Sequence, residues 1–351
     1  MTKDSESALP VIGLDLGDRQ CQLCVLDLDG EVVEEGRIST TEAALTRRFS
    51  GQPRTRVVIE TGTNANWVHD LLVKAGHEVV VANARKLRAI SANERKSDYL
   101  DARMLADLGH AKVGLLRPVQ VRPQEGRRDL ALLRARAALV ENRTSLVNCV
   151  RGLAKSAGHR LPACSAATFH KQKLDPALHA ALAPLMNILQ SVSFEIRRYD
   201  RAIVRMCKAS YPQTKVLQRV QGVGPLVSLC FVLTICDPLR FKDARDVGAY
   251  LGLVPRRNQS GERDPELRIT KTGDRMLRRL LVLSAHYILG PFGPDTDLRR
   301  FGLKLAARGG KTAKKRAVVA TARKLAVLLF ALLRTGEVYQ PLRNSELALA
   351  S

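Results

Sequence analysis

The spacing of apolar and polar residues changes character near Pro123, and the change separates two kinds of predicted structure. Val11 to Leu16 and Gln22 to Leu28 are short apolar runs separated by Gly17 and Asp18. Asp29-Gly30 is a hairpin turn signal, and Glu31 to Ile38 reads as a third strand. Thr41 to Phe49 is a short helix with Thr40 or Thr41 as its N-cap. Arg56 to Glu60 (RVVIE) is a buried strand, Asn66 to Ala75 a helix ended by Gly76, and His77 to Ala82 another strand. The stretch KSDYLDARMLADLGHA, from Lys96, is the next helix. Three antiparallel strands, then strands alternating with helices, predict a mixed α/β sheet covered on both faces.

Beyond Pro123 the pattern predicts long helices. Arg127 to Ala154 is one, and a second begins around Pro184 after a Gly/Pro/Ser-containing break at 157–165. Leu185, Leu189, Val192, Ile196, Tyr199, Ile203 and Met206 recur in steps of four and three, the coiled-coil period. The period fits a helix packed in its own bundle and an intermolecular coiled coil equally well. In LQRVQGVGPLVSLCFVLTI, two helices about the Gly222-Val223-Gly224 turn resemble a helix-hairpin-helix, whose glycine turn lets backbone N–H groups approach a phosphate; a plain αα-hairpin has the same pattern. A polar, basic loop and Arg-rich helices close the chain. The regions expected are thus 1–125 (α/β), 126–212 (helical, coiled-coil) and 213–340 (mainly helical).

Charge changes what this architecture is for. The 351 residues hold 57 Lys and Arg against 34 Asp and Glu, a net charge of +23. Such an excess repels itself unless a polyanion neutralises it, so nucleic acid is the expected partner. Residues 1–50 are net −5 and residues 256–324 net +12, which places backbone contacts toward the C-terminal part. The longest apolar run, Leu325 to Leu333, is shorter than the ~20 residues of a membrane span, so no membrane partner is expected. The opening MTKDSESALP has no apolar signal core, and seven scattered cysteines do not form a disulfide pattern; a reducing cytoplasm is the expected setting. Cys21 and Cys24 form a CxxC, but on a strand they point to opposite faces and read as core.

The candidate chemistry lies in the acids. At 100° per residue, Leu100, Met104, Leu105 and Leu108 fall on one arc of the KSDYLDARMLA helix, with Asp101 in its middle and Asp98 at its edge. Carboxylates on an apolar face are costly unless paired, and a metal ion is one such partner. Asp15 in VIGLDLG and Glu60 at the end of RVVIE belong to the same α/β region. Four carboxylates from three elements can converge on two hard divalent cations, Mg2+ or Mn2+, of the kind that stabilise an in-line phosphoryl displacement.

GLDLG, VVIETGT and KSDYLDARMLA, in this order, resemble the RNase H/RuvC-like fold, and in particular the DEDD-type transposases of insertion sequences and the related pilin-gene invertase Piv, a bridge-RNA-guided recombinase family. VQGVGPLVSLCFVLTI, FKDARDVGAYLGLVPRRNQSGERD and ITKTGDRMLRRLL resemble that family's second domain, so the likeness covers about two thirds of the chain. It implies that Asp15, Glu60, Asp98 and Asp101 are metal-binding acids and that Ser260, in NQSG, is the nucleophile that cuts and rejoins DNA. It also implies a structured guide RNA, donor and target DNA as partners, and assembly into dimers and a tetramer. Arg256, Arg257, Arg263, Lys271 and Arg275 flank the serine and are candidates to neutralise phosphate. With 4% aromatic residues the chain has no obvious base-reading motif, which fits recognition by RNA pairing. Three other readings compete: a RuvC-like junction resolvase using the acids and water, an actin-like-superfamily small-molecule kinase suggested by GLDLGDRQCQLCVLDLDGEVV, and an RNA-guided binding module without chemistry.

Overall fold

A computed structural model describes residues 9–84, 98–259, 267–310 and 312–343. The chain forms two compact units, Met1–Arg122 and Pro123–Ser351. In the first, five strands form one sheet in the order β3-β2-β1-β4-β5: β1 Val11–Leu16, β2 Gln20–Leu26, β3 Val32–Ser39, β4 Arg56–Glu60 and β5 Glu78–Ala82. The first three are antiparallel and joined by tight turns; β4 and β5 run parallel to β1 and are reached through helices. The helices are α1 Glu42–Phe49, α2 Ala65–Lys74 and α3 Asp98–Ala111. Each expected strand and helix here is present, with boundaries one to two residues away in most cases. Thr41 caps α1 by accepting a hydrogen bond from Ala44 N.

Alternation along the strands sorts their residues onto two faces. Ile12, Leu14, Leu23, Val25, Val57 and Ile59 pack with Leu45, Phe49, Val68 and Leu72 of α1 and α2. Val11, Val58 and Val80 pack on the opposite face with Leu105 of α3, where Cys24 and Leu26 also meet Ala102 and Ala106. Cys21 and Cys24 are both fully buried, one in each layer, as their strand spacing predicts.

The second unit begins with two long helices, α4 Gln124–Ser156 and α5 Pro176–Ala209, each about 50 Å long at 1.5 Å per residue. They pair as an antiparallel hairpin. The seam on α5 is Leu182, Met186, Leu189, Ser193, Ile196, Asp200, Ile203 and Cys207, so the expected heptad is present but rotated: Leu185, Val192, Tyr199 and Met206 lie beside the seam. α4 decides this, because its own heptad includes Arg136 and Arg143, and Arg136 Nε donates to Asp200 Oδ1 at 2.6 Å. The start of α5 also differs from expectation. Asp175 caps the helix by accepting from Ala177 N, Pro176 occupies its first turn, and Pro184 sits inside it. By length and composition α5 is the one described helix apolar enough to cross a membrane.

The remainder packs around α7 Pro225–Ile235, whose residues Val227 to Ile235 are all buried. Around it lie α6 Thr214–Leu217, α8 Asp246–Tyr250, α9 Arg275–Leu289, α10 Asp297–Ala306 and α11 Ala313–Thr335. The expected first helix before the glycine turn is only the four residues of α6. Gly222 takes φ 83°, and a Cβ there would lie 3.1 Å from Tyr287 Cδ1 and 3.2 Å from Ser284 O of α9. The turn therefore uses its glycine for close packing on a neighbouring helix.

Candidate functional site

The acids are positioned by the contact between α3 and the sheet. Gly13 leaves room for it: a Cβ at that position would stand 2.0 Å from Ala102 O and 2.6 Å from Ala106 N. One turn further along α3, a Cβ on Gly109 would stand 2.5 Å from Val58 Cγ2 and 3.1 Å from Val11 Cγ1. Val11 and Gly13 thus face α3, and Asp15, two residues on, shares their face. Glu60 shares the face of Val58 by the same rule. β1 and β4 are parallel, with Gly13 opposite Val58 and Leu14 opposite Ile59, so Asp15 and Glu60 are the next level of that register. Both are half-buried at the C-terminal ends of adjacent central strands.

α3 runs antiparallel to β1, from Ala102 and Ala106 at Gly13 to Gly109 at Val11, so its first turn lies at the Asp15 end. That turn carries Asp98 and Asp101. The stripe buried on the sheet is Ala102, Leu105, Ala106 and Gly109, while Leu100 is 41% exposed. It is rotated by roughly a third of a turn from the arc of large apolar residues expected from the sequence. The rotation exchanges the two aspartates: Asp98 extends the packed stripe beyond its end and is exposed, and Asp101 borders it and is half-buried. Small residues allow this close approach, which a wheel weighted by side-chain size misses. Acidic residues in a first helical turn are also favoured by the helix dipole. The Tyr99 hydroxyl between them bonds the Glu35 carboxylate, which raises its pKa, and ties the same turn to β3. Among the described residues, no three His, Cys, Asp or Glu side chains are gathered closely enough to hold a metal ion.

Ser260 and Arg263 lie outside the described residues. The two limbs leading to them are described and form a short stem. Thr270 N donates to Val254 O at 2.9 Å, Arg256 N to Arg268 O at 3.0 Å, and Lys271 N to Gly252 O at 3.1 Å. Pro255 and Ile269 form a β-bridge between the limbs. Where the limbs close, Gly252 takes φ 68° and a Cβ there would meet Thr272 O at 2.2 Å; at Gly273 it would meet Tyr250 O at 2.0 Å. Arg278 of α9 locks both limbs, its Nη1 donating to Leu251 O at 3.0 Å and Thr272 O at 2.7 Å. Arg256 and Arg257 are exposed on one limb, Lys271 on the other with φ 55°, and Arg275 on the first turn of α9. The structure therefore brings Arg256 and Arg268 across the stem from each other; sequence reading passed over Arg268 and Arg278. The paired glycines of YLGL and KTGD were the available signal, since a glycine beside a β-bridge marks close backbone approach.

Comparison with known proteins covers both regions. Residues 12–158 match a family model described as "Transposase" (DEDD_Tnp_IS110), and residues 214–295 match one described as "Transposase IS116/IS110/IS902 family". The transposase for insertion sequence element IS1111A of Coxiella burnetii is 29% identical over 343 residues, 95% of this chain and 92% of that protein. A probable family 20 transposase of Pseudomonas aeruginosa is 28% identical over 343 residues, 94% of this chain and 98% of that protein. The transposase for insertion sequence element IS1328 of Yersinia enterocolitica is 25% identical over 282 residues, 78% and 82% of the two chains. The first match spans all four acids and the second the serine loop with its stem, so these matches and near-full-length relatives together indicate a mobile-element transposase of the IS110/IS116/IS902 family.

Proposed function

We propose that this transposase cuts and rejoins DNA through Ser260, assisted by divalent cations held by Asp15, Glu60, Asp98 and Asp101, and that a structured guide RNA selects the DNA. The observation that carries the reading is the placement of the four acids: one face of the sheet, one end of it, two central strands and the first turn of the helix packed on them. The strand order β3-β2-β1-β4-β5 supports assigning this unit to the RNase H/RuvC-like class. An all-carboxylate donor set fits Mg2+ or Mn2+, and such ions, when bound, stabilise charge on a phosphoryl group undergoing displacement.

The residues of the chain supply the rest. The Ser260 hydroxyl loses its proton as its oxygen bonds to phosphorus, and the bond from phosphorus to one sugar oxygen breaks. That oxygen leaves as a hydroxyl, carrying a proton. A phosphoserine ester replaces the DNA phosphodiester, so no ATP is consumed, and reversal onto another sugar hydroxyl rejoins the strand. Arg256, Arg257, Arg263, Lys271 and Arg275 surround this position in sequence and neutralise the phosphate during transfer. The stem closed by Gly252, Gly273 and Arg278 holds the serine's limbs in one register. Paired guide RNA would supply sequence choice, and dimers assembling into a tetramer would hold two duplexes together.

The test compares wild type, Ser260→Ala and Asp15→Ala, each purified with its co-expressed nucleic acid and supplied with Mg2+ and donor and target duplexes. Wild type is expected to recombine and to trap a covalent protein–DNA species. Both variants should bind and fail to join. Cutting retained by Ser260→Ala would instead establish a RuvC-like resolvase that uses water.

A further inference from the structure

We infer that the turn between α10 and α11, built from residues other than those of the acid site and the serine loop, is a binding surface for the phosphate backbone of duplex DNA. The inference rests on the reading of the protein as a DNA transposase and adds a surface to it. Residues 298–336 hold eleven Lys and Arg and no Asp or Glu. Buried positions fix where these charges go. α11 turns Ala313, Ala317, Val318, Thr321 and Ala322 inward, which leaves Lys314 and Lys315 exposed on its first turn. α10 buries Leu298 and Gly302, with Gly302 against Thr321 and Leu289, which leaves Lys304 and Arg308 exposed at the same end of the helix pair. None of these four makes an ion pair among the described residues.

The arrangement opposes stability. Lys314 and Lys315 in the first turn of α11 face the positive end of its dipole, and Lys304 and Arg308, one turn apart at the end of α10, repel each other. By contrast, Arg300 of α10 is paired with Asp295 at 2.6 Å. Among the described residues no carboxylate pairs with these four, while Gly309 and Gly310, both with positive φ and open space about them, keep side chains out of the way. Closely spaced phosphates neutralise such a cluster with no requirement for a particular base. Duplex DNA is the occupant the proposed reaction requires, and DNA binding by neutralised phosphates has a quantitative signature in salt.

The triple variant Arg308→Ala, Lys314→Ala, Lys315→Ala in the full-length protein tests this by anisotropy on a labelled duplex DNA of unrelated sequence. A second triple, Arg47→Ala, Arg54→Ala, Lys74→Ala, removes the same charge from exposed positions of the α/β unit. The first triple is expected to lower the slope of log K against log salt by about 2–3, from about 0.9 per phosphate contact, and to weaken binding roughly tenfold or more at 0.1 M salt. Its thermal midpoint should stay close to that of wild type, since Lys314 and Lys315 oppose the dipole of α11 while Arg308 follows the favourable end of α10. The control triple should leave the slope within about 1 of wild type. An unchanged slope in the first triple, with wild type binding and recombining, overturns this inference alone. Absence of duplex DNA binding by wild type overturns both it and the transposase reading. A slope lost on duplex RNA but unchanged on DNA refutes the occupant assigned here.

Discussion

Replacing Gly13 by alanine inserts one methyl group where α3 lies on β1. Its nearest neighbours would be Ala102 O at 2.0 Å, Ala106 N at 2.6 Å and Ala102 C at 3.1 Å, all backbone atoms that no rotamer change can move. Relief to ordinary contact, at 3.4 Å or more, requires α3 itself to shift by over an ångström at this point. Overpacking of this kind costs about 1–3 kcal/mol, partly offset by the ~0.5–1 kcal/mol that alanine gains over glycine in a strand. A net loss near 1–2 kcal/mol lowers the midpoint of a unit this size by roughly 3–12 °C. The larger effect is on geometry, because Asp98 and Asp101 ride on the helix that moves while Asp15 and Glu60 stay with the sheet. Misplacement by ~1 Å costs about 100-fold in a reaction that depends on alignment. The comparison variant is Leu45→Ala, on the opposite face of the sheet, which loses about 2–5 kcal/mol without touching α3. Strand joining is assayed with both proteins well below their midpoints, with folded fractions matched by circular dichroism. Gly13→Ala should fall about 100-fold below Leu45→Ala. Equal activity of the two, or an unchanged midpoint for Gly13→Ala, would refute the argument that this glycine sets the spacing of the acids.

Arg278→Ala removes the donor that spans Leu251 O and Thr272 O; amides of Thr270 and Lys271 should exchange more than about tenfold faster, a local opening of ~1–3 kcal/mol, and joining should fall with them. Unchanged exchange would show that the stem does not depend on it. In the α4–α5 seam, Ser193 Oγ and Arg143 Nε are buried without hydrogen-bond partners, so the pair Ser193→Val, Arg143→Leu should raise the thermal midpoint, and a lower midpoint would contradict the packing argument. Tyr211 donates to Asp129 Oδ2 at 2.5 Å, so Tyr211→Phe should cost about 1.5–3 kcal/mol in urea denaturation at neutral pH. Burial first, and then the Asp129 carboxylate, push this phenol well above its ordinary range. The unfolded chain ionises near pH ~10 while the folded one stays neutral. Stability from this group is therefore complete below about pH 10 and is lost as pH rises toward the folded value, a decline that Tyr211→Phe should lack.

Residues of the α/β unit wrote their own elements into the chain. The runs VIGLDL, QCQLCVL and RVVIE, the Asp29-Gly30 turn and the Thr41 cap each depend on neighbours within a few positions, and the observed strands and α1 follow them closely. The four acids were visible as carboxylates in apolar surroundings, and the lower net charge of the first fifty residues against the basic C-terminal part was a matter of counting. Strand alternation also settled that Cys21 and Cys24 are core.

Choices between nearly equivalent faces were decided only in three dimensions. α3 has a stripe of large residues and a stripe of small ones; it packs with the small one because Gly13 opens a place on β1 that a bulky side chain cannot use. α5 has two apolar stripes sharing Leu189, Ile196 and Ile203, and Asp200 falls in the seam because α4 presents Arg136 opposite it. The stem before and after the serine joins residues some fifteen positions apart through backbone bonds, which leave no mark on side-chain periodicity. Local patterning sets what each segment can be, since propensity, capping and turn chemistry act within one or two turns of chain. Which face is buried, and which charges end up side by side, depends on the shape of a partner that is remote in sequence.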